Sequence, residues 1–265
     1  MKMADMKSTP PLFSLFIAAA ACLSSVAHAG PVKLVSVETK AALPPEAEDI
    51  VFGQHPEKGA EVKATFLLWP DVGAAIVEIH EKKCRVTETV DSATGQPVKV
   101  NVEFGSFPKL AKDGSIGSHS LEYTLPEEPG SGRLKISGTL AVTTATGVKT
   151  EKPDGFALAD EAKLKAGDLN LEVTGLKNDD GKTKFGLKSS KPMSAIKDIR
   201  FFRPDGTPVE SRRNGRSWGR MFGSYSETWQ IELETEIKDV KIEFDLHQNL
   251  AEKEIPFDFA LPSAL

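Results

Sequence analysis

Almost everywhere beyond the N-terminal segment of this chain, apolar and polar residues alternate with a period of two. Val98, Val100, Val102 and Phe104 alternate with Lys99, Asn101 and Glu103, and Val240, Ile242, Phe244 and Leu246 alternate with Lys241, Glu243 and Asp245. The same rhythm runs through Leu169, Leu171 and Val173, through Trp229, Ile231 and Leu233, and through Ile255, Phe257, Phe259 and Leu261. Leu134, Ile136, Leu140 and Val142 keep it too, with Gly138 filling the face between them. Successive strand side chains point to opposite faces, so this period buries one face and wets the other, as antiparallel sheets do. The best helical stretch, Leu158 to Leu164, is short enough to be a single turn or none.

Turn chemistry agrees. Asp179-Asp180-Gly181 and Pro204-Asp205-Gly206 separate short apolar runs, and Asp-Gly supplies the left-handed backbone of a tight hairpin. Many short strands divided by such turns predict an all-β fold of two antiparallel, immunoglobulin-like β-sandwich domains in tandem. Gly147, Pro153 and Gly155, with many charges and few large apolar residues, mark the boundary. The expected organisation is a signal peptide over 1–29, a first sandwich over 30–149, a linker over 150–166 and a second sandwich over 167–265. The stretch Phe107 to His119, rich in Gly, Ser and Lys, reads as a long exposed loop of the first domain.

The N-terminus reads as targeting rather than fold. Lys2 and Lys7 precede an apolar run from Leu12 to Ala21, and Ala27-His28-Ala29 presents small residues where a signal peptidase cuts. Cleavage there makes Gly30 the mature N-terminus and the protein exported, periplasmic or extracellular. The apolar run is too short for a bilayer span, and no later stretch approaches that length. A lipoprotein signal is the alternative, since Cys22 follows Ala19-Ala20-Ala21. Losing Lys2, Lys7 and Asp5 moves the formal charge from −5 to −6 and leaves Cys84 as the one cysteine, so no internal disulfide forms. Cys84 shares a face with Val86 and Val90 and reads as a small buried apolar residue.

Familiar catalytic patterns are missing from the sequence. His55, His80, His119 and His247 stand apart with no spacing that pairs metal ligands. No Gly-x-Ser-x-Gly elbow follows a strand, no phosphate loop is present, and Asn178-Asp179-Asp180-Gly181 lacks the downstream carboxylate of a calcium loop. No cofactor and no metal is therefore expected.

Arginine is the exception to this blandness. Six of eight arginines fall between residues 200 and 220: Arg200, Arg203, Arg212, Arg213, Arg216 and Arg220. Trp218 sits among them, with Phe222 and Tyr225 beyond. The guanidinium fork grips carboxylate, phosphate or sulfate with two hydrogen bonds and stacks on aromatic rings. Arg212, Arg213, Arg216, Trp218 and Arg220 are the candidate anion-binding residues, expected to flank a hairpin turned at Asn214-Gly215. The bland reading is a solvated connection whose arginines pair with Glu210, Glu227 and Glu232.

The last third, from Phe201 through Arg203-Pro204-Asp205-Gly206 to Ile255-Pro256-Phe257-Asp258-Phe259, resembles exported bacterial proteins of tandem β-sandwiches. These end in a strand with a Pro-Phe pair and a short apolar tail. The resemblance implies secreted sandwiches and carries over no activity and no functional residue. The function expected is a non-catalytic exported or envelope-associated binding module that recognises an anionic glycan or an acidic protein face. Nucleic acid suits a mature chain at −6 poorly. A secreted hydrolase whose active site is dispersed along the sequence is the alternative, so the sequence leaves open whether the protein is an enzyme.

Overall fold

A computed structural model describes residues 31–41, 60–125, 133–153, 156–221 and 223–262. The expected signal peptide, its expected cleavage site and Cys22 lie outside the described residues. Among those described the protein is all-β, with four antiparallel sheets, no α-helix and one 3-10 turn at Glu81–Lys83. Among the described residues no helix is long and apolar enough to cross a membrane.

Two sheets share the first core. One joins β1 (Val32–Ala41), β2 (Ala60–Leu68), β5 (Val102–Phe104), β6 (Lys109–Leu110) and β7 (Gly117–Leu125). The other joins β3 (Ala75–Ile79), β4 (Arg85–Asp91), β8 (Arg133–Ala145) and β19 (Ala251–Pro262). The second core lies between two further sheets. One holds β9 (Gly147–Glu151), β10 (Phe156–Ala157), β14 (Ile196–Phe202), β15 (Pro208–Val209) and β18 (Asp239–Gln248). The other runs in the order β11 (Lys163–Ala166), β12 (Leu169–Asp179), β13 (Lys182–Ser189), β17 (Ser224–Leu233) and β16 (Ser211–Met221). The alternation did its work in β2, where Ala60, Val62, Ala64, Phe66 and Leu68 are buried and the residues between them are not.

Both Asp-Gly turns form as expected. Asp179 pairs with Lys182 across Asp180 (φ 53°) and Gly181 (φ 73°), a left-handed pair that a two-residue hairpin requires. Phe202 pairs with Pro208, and Asp205 accepts a hydrogen bond from the Thr207 N–H at 2.8 Å.

The expected boundaries need correction in three places. The C-terminal strand β19 belongs to the first core rather than to a second domain over 167–265. It pairs with β8 from Ala251↔Thr144 to Pro262↔Arg133 and buries Ile255, Phe257, Phe259 and Leu261 there. The expected linker carries strand: the end of β9 and all of β10 and β11 lie within it, and Leu158, Leu164 and Ala166 are buried in the second core. Its charges occupy the outward positions, which is why it reads as polar. The expected loop over 107–119 contains β6 and the first residues of β7, and His119 is buried against Phe66 and Phe104. That burial disfavours the charged imidazole and lowers the His119 pKa to about 4.

β9 continues β8, and β18 runs into β19. The pairs Pro262↔Arg133 through Ala251↔Thr144 belong to one core, and Gln248↔Gly147 through Phe244↔Glu151 to the other, all in one unbroken register. At the crossing the Thr146 N–H donates to the Gln248 carbonyl at 3.2 Å. Asn249 there takes a left-handed φ of 52° and its amide donates to the Thr146 hydroxyl at 3.3 Å. One two-stranded ribbon therefore threads both cores.

Gly138 on β8 is packed closely between β4 and β19. A Cβ there would stand 2.2 Å from the Arg85 carbonyl oxygen and 2.6 Å from Phe257 Cζ. The outward face of β19 is pinned by Lys83–Glu252, Arg85–Glu254 and Lys135–Asp258 ion pairs, each solvent-exposed and of small individual worth. The four inward side chains matter more. At roughly 1.5–3 kcal/mol each they rival the whole stability of a domain.

A chain of residues 30–149 alone should therefore lack fixed tertiary structure, with a near-UV circular dichroism signal close to zero. Adding a synthetic peptide of residues 250–262 should restore that signal. A fragment that folds without the peptide would show that β19 is dispensable.

Candidate anion-binding cleft

The arginine segment forms one edge strand, β16, and its Asn214-Gly215 pair is not the hairpin turn expected. The strand runs on through it, and the chain reverses at Gly223 (φ 82°), between Met221 and Ser224. The ladder with β17 slips between Arg213 and Gly215, which is a β-bulge. A bulge inserts one residue into the alternation. Arg213 and Arg216, three apart in sequence, thus fall on the same face.

Register with β17 shows which face. Arg213 lies opposite Ile231, Arg216 opposite Trp229, Trp218 opposite Glu227 and Arg220 opposite Tyr225. Ile231, Trp229 and Glu227 are buried, so Arg213, Arg216, Trp218 and Arg220 extend the inward face of the sheet past the edge of the core. Arg212 is on the other face, where its Nε meets Glu234 at 3.0 Å. The structure brings together four of the five candidates and separates the fifth. Arg200 and Arg203 serve elsewhere. Arg200 grips Asp245, lowering that carboxyl to about 2, and Arg203 donates to the Thr235 hydroxyl at 3.1 Å.

The cluster is organised by a carboxylate with no exposed surface. Glu227 Oε1 accepts from Trp229 Nε1 at 2.7 Å and from Arg216 Nε at 2.7 Å. Its Oε2 accepts from the Tyr225 hydroxyl at 2.8 Å and the Met193 N–H at 3.0 Å. Burial by itself would raise the Glu227 pKa, but these four donors together hold it below the usual carboxylate value. Tyr225, partly buried and bonded to that anion, is pushed up to about 12. Arg216 is thereby a structural ion-pair partner anchored through Nε. Arg213 lies over the Trp229 ring, 4.4 Å from its centroid, and has no carboxylate partner among the described residues.

Beside Arg213 the surface is indented, while Phe201, Trp229 and Ile231 beneath stay buried in the second core. A cleft of about 380 Å³ enters between β14 and β16. Ile199, Phe201, Trp229 and Ile231 form its apolar wall, and Lys197, Arg213 and Arg216 its rim. Ile76, Leu110 and Lys112 of the first half close the far side. His247 of β18 also lines it. Its Nδ1 is buried with no hydrogen-bond partner, and burial followed by the nearby Lys197 charge lowers its pKa. Among the described residues no group of three His, Cys, Asp or Glu converges as metal ligands. Compared with known proteins, the chain matches no family model, no curated protein and no solved structure.

The density of arginine pointed to this region, but Lys112, Lys197 and His247 carry no sequence signal. They come from three separate elements and meet only in the fold.

Glu227→Gln should cost about 3 kcal/mol in denaturant unfolding, because it strands Arg216 and places an N–H among four donors. The Glu227 pKa is depressed in the folded state. Its stabilisation is therefore present above the ordinary carboxylate pKa of 4.5 and is lost as pH falls through the lower folded value. Stability of Glu227→Gln should be flatter with pH below 4.5 than that of the parent.

Proposed function

We propose that the protein is an exported, non-catalytic binding module of two tandem immunoglobulin-like sandwiches that recognises an anionic glycan through β16. The observation that carries this reading is Trp218. Its side chain is 63% exposed on a strand face that also holds Arg216 and Arg220. An exposed indole flanked by guanidinium groups matches a sugar ring bearing sulfate or carboxylate. The ring gives the apolar contact and the cations hold the charges.

The strand itself favours a ligand from outside. Among the described residues β16 ends its sheet and has a strand partner on one side only, and the ten positions from Ser211 to Arg220 include none that is buried. Its row of positive charge repels a second copy of the same edge, which keeps that edge from pairing with itself. Arg216 is preset by Glu227, so little side-chain entropy is lost when it takes an anion.

The test uses Trp218 and Arg220, which lie off the cleft lining. Trp218→Ala with Arg220→Glu should elute from immobilised heparin at lower salt than the parent, with a shallower dependence of log affinity on log salt. Unfolding free energy should change by less than about 0.5 kcal/mol, as for other exposed positions. Equal retention of parent and variant would reject the glycan reading. Loss of binding to polyglutamate, with heparin retention unchanged, would point instead to an acidic protein face.

A further inference from the structure

The indentation beside Arg213 is a groove between the two halves, and a β-bulge lies on each of two strands that border it. On β16 the ladder slips between Arg213 and Gly215. On β14 the ladder with β18 slips between Ile196 and Asp198, which leaves Lys197 without a cross-strand partner there. A bulge re-aims the side chains around it, and each of these two sits beside a cation that lines the groove. The third cation comes from the first half. Lys112 belongs to the turn Ala111–Gly114, closed by the Gly114 N–H donating to the Ala111 carbonyl at 2.9 Å. That turn is fixed to β3: the Gly114 carbonyl accepts from the Ile76 N–H at 2.8 Å, and a Cβ on Gly114 would stand 2.6 Å from the Ile76 carbonyl oxygen.

Lys112, Lys197 and Arg213 have no ion-pair partner among the described residues. Asp113 and Asp245 feel the Lys197 charge but are already engaged, Asp113 by the Ser115 N–H and hydroxyl and Asp245 by Arg200. Asp198, also in the lining, lies 3.9 Å from Arg200. The groove is therefore net cationic, and its exposed lining is more polar than apolar. Like charges gathered from three elements favour an anion between them. β16 leads out of this groove. β13 stops pairing with β17 at Ser189↔Glu227, whereas β16 pairs on to Met221↔Ser224. The hairpin end that carries Trp218 and Arg220 thus projects past the sheet, and from Arg213 to Arg220 the strand covers roughly 20 Å.

We infer that the glycan is a linear chain with many charges that occupies two surfaces at once, one segment on Arg216, Trp218 and Arg220 and the next in the groove on Arg213, Lys197 and Lys112. The inference rests on the glycan reading of β16 and extends it to a second surface that includes the first half. A ligand with a single charge cannot serve both surfaces. At about 380 Å³ the groove takes one segment of such a chain rather than the whole. Two weak surfaces on one chain make a tight site, because binding to the first raises the effective concentration at the second. The β8–β9 and β18–β19 ribbon already holds the two halves in fixed relation, so little ordering entropy is lost when the chain bridges them.

The probes are a heparin tetrasaccharide, short enough to lie on one surface, and a dodecasaccharide, long enough to cover both. Each is titrated into the chain from Gly30 to Leu265 by calorimetry, which also gives the stoichiometry. The dodecasaccharide should bind one-to-one and at least about tenfold more tightly than the tetrasaccharide. Lys112→Gln with Lys197→Gln should remove that advantage and lower the slope of log affinity against log salt by roughly 1.5, while tetrasaccharide affinity changes less than about twofold. Near-UV circular dichroism checks that the variant is folded. If it is not, amide hydrogen exchange of the parent decides, since the dodecasaccharide should slow exchange from Lys112 to Ser115 and unchanged exchange there would overturn the proposal. Parent-like dodecasaccharide affinity in a folded variant, or an equal loss on both oligosaccharides, would also overturn it. Either result would leave the reading of β16 standing, because that reading is tested by Trp218→Ala with Arg220→Glu. A parent that binds neither oligosaccharide would reject both.

Discussion

A single antiparallel ribbon holds this molecule together. β8 and β9 run one way, β19 and β18 the other, and their pairing keeps one register from Arg133↔Pro262 to Glu151↔Phe244. Hydrogen-bonded ladders resist shear, since a slip of one residue would turn every side chain to the wrong face. Two cores joined by such a ladder cannot swivel like beads on a flexible linker. Their relative placement is set by Thr146 and Asn249 at the crossing, and by the Glu78–Ser194 hydrogen bond beside it. The cleft has walls in both halves, so its shape depends on that ribbon.

Buried charge is the second constraint. A carboxylate with no exposed surface is costly unless its lone pairs are filled, and Glu227 fills all four with donors from Met193, Arg216, Tyr225 and Trp229. This arrangement fixes the orientation of the arginine it touches and of the indole under Arg213. The edge of the sheet thus presents a cationic face whose geometry is decided inside the core. The arginine run is neither wholly free nor wholly neutralised. Arg212 and Arg216 are paired, and Arg213 and Arg220 have no carboxylate partner among the described residues.

Alternation made the all-β class legible, because its period is local and every strand repeats it. It did not reveal which strand pairs with which. The pattern Ile255, Phe257, Phe259, Leu261 tells that one face is buried but not in which core, and proximity in sequence pointed to the wrong one. The Asp180-Gly181 turn was readable because it needs left-handed backbone, whereas Asn214-Gly215, an equally turn-prone dipeptide, lies within a strand that β17 carries through as a bulge. Arginine density located the cationic face, and Glu227 stood among the carboxylates close enough in sequence to pair. Glu210 stood there too, yet Glu234 took Arg212. The choice among nearby acids depends on which strand face each occupies, and the bulge changes that in mid-strand.

The closing strand has a consequence in time. β1 through β8 are made early, but the core they share stays open until the last residues supply β19. More than a hundred residues of the second half separate the two partners in the chain. At ordinary synthesis rates of about 5–20 residues per second, that is an interval of several seconds or more. Throughout it, β8 has one unpaired edge and the inward faces of Leu134, Ile136 and Leu140 lack the phenylalanines that cover them. A nascent chain of this design cannot close its first core until β19 has been made.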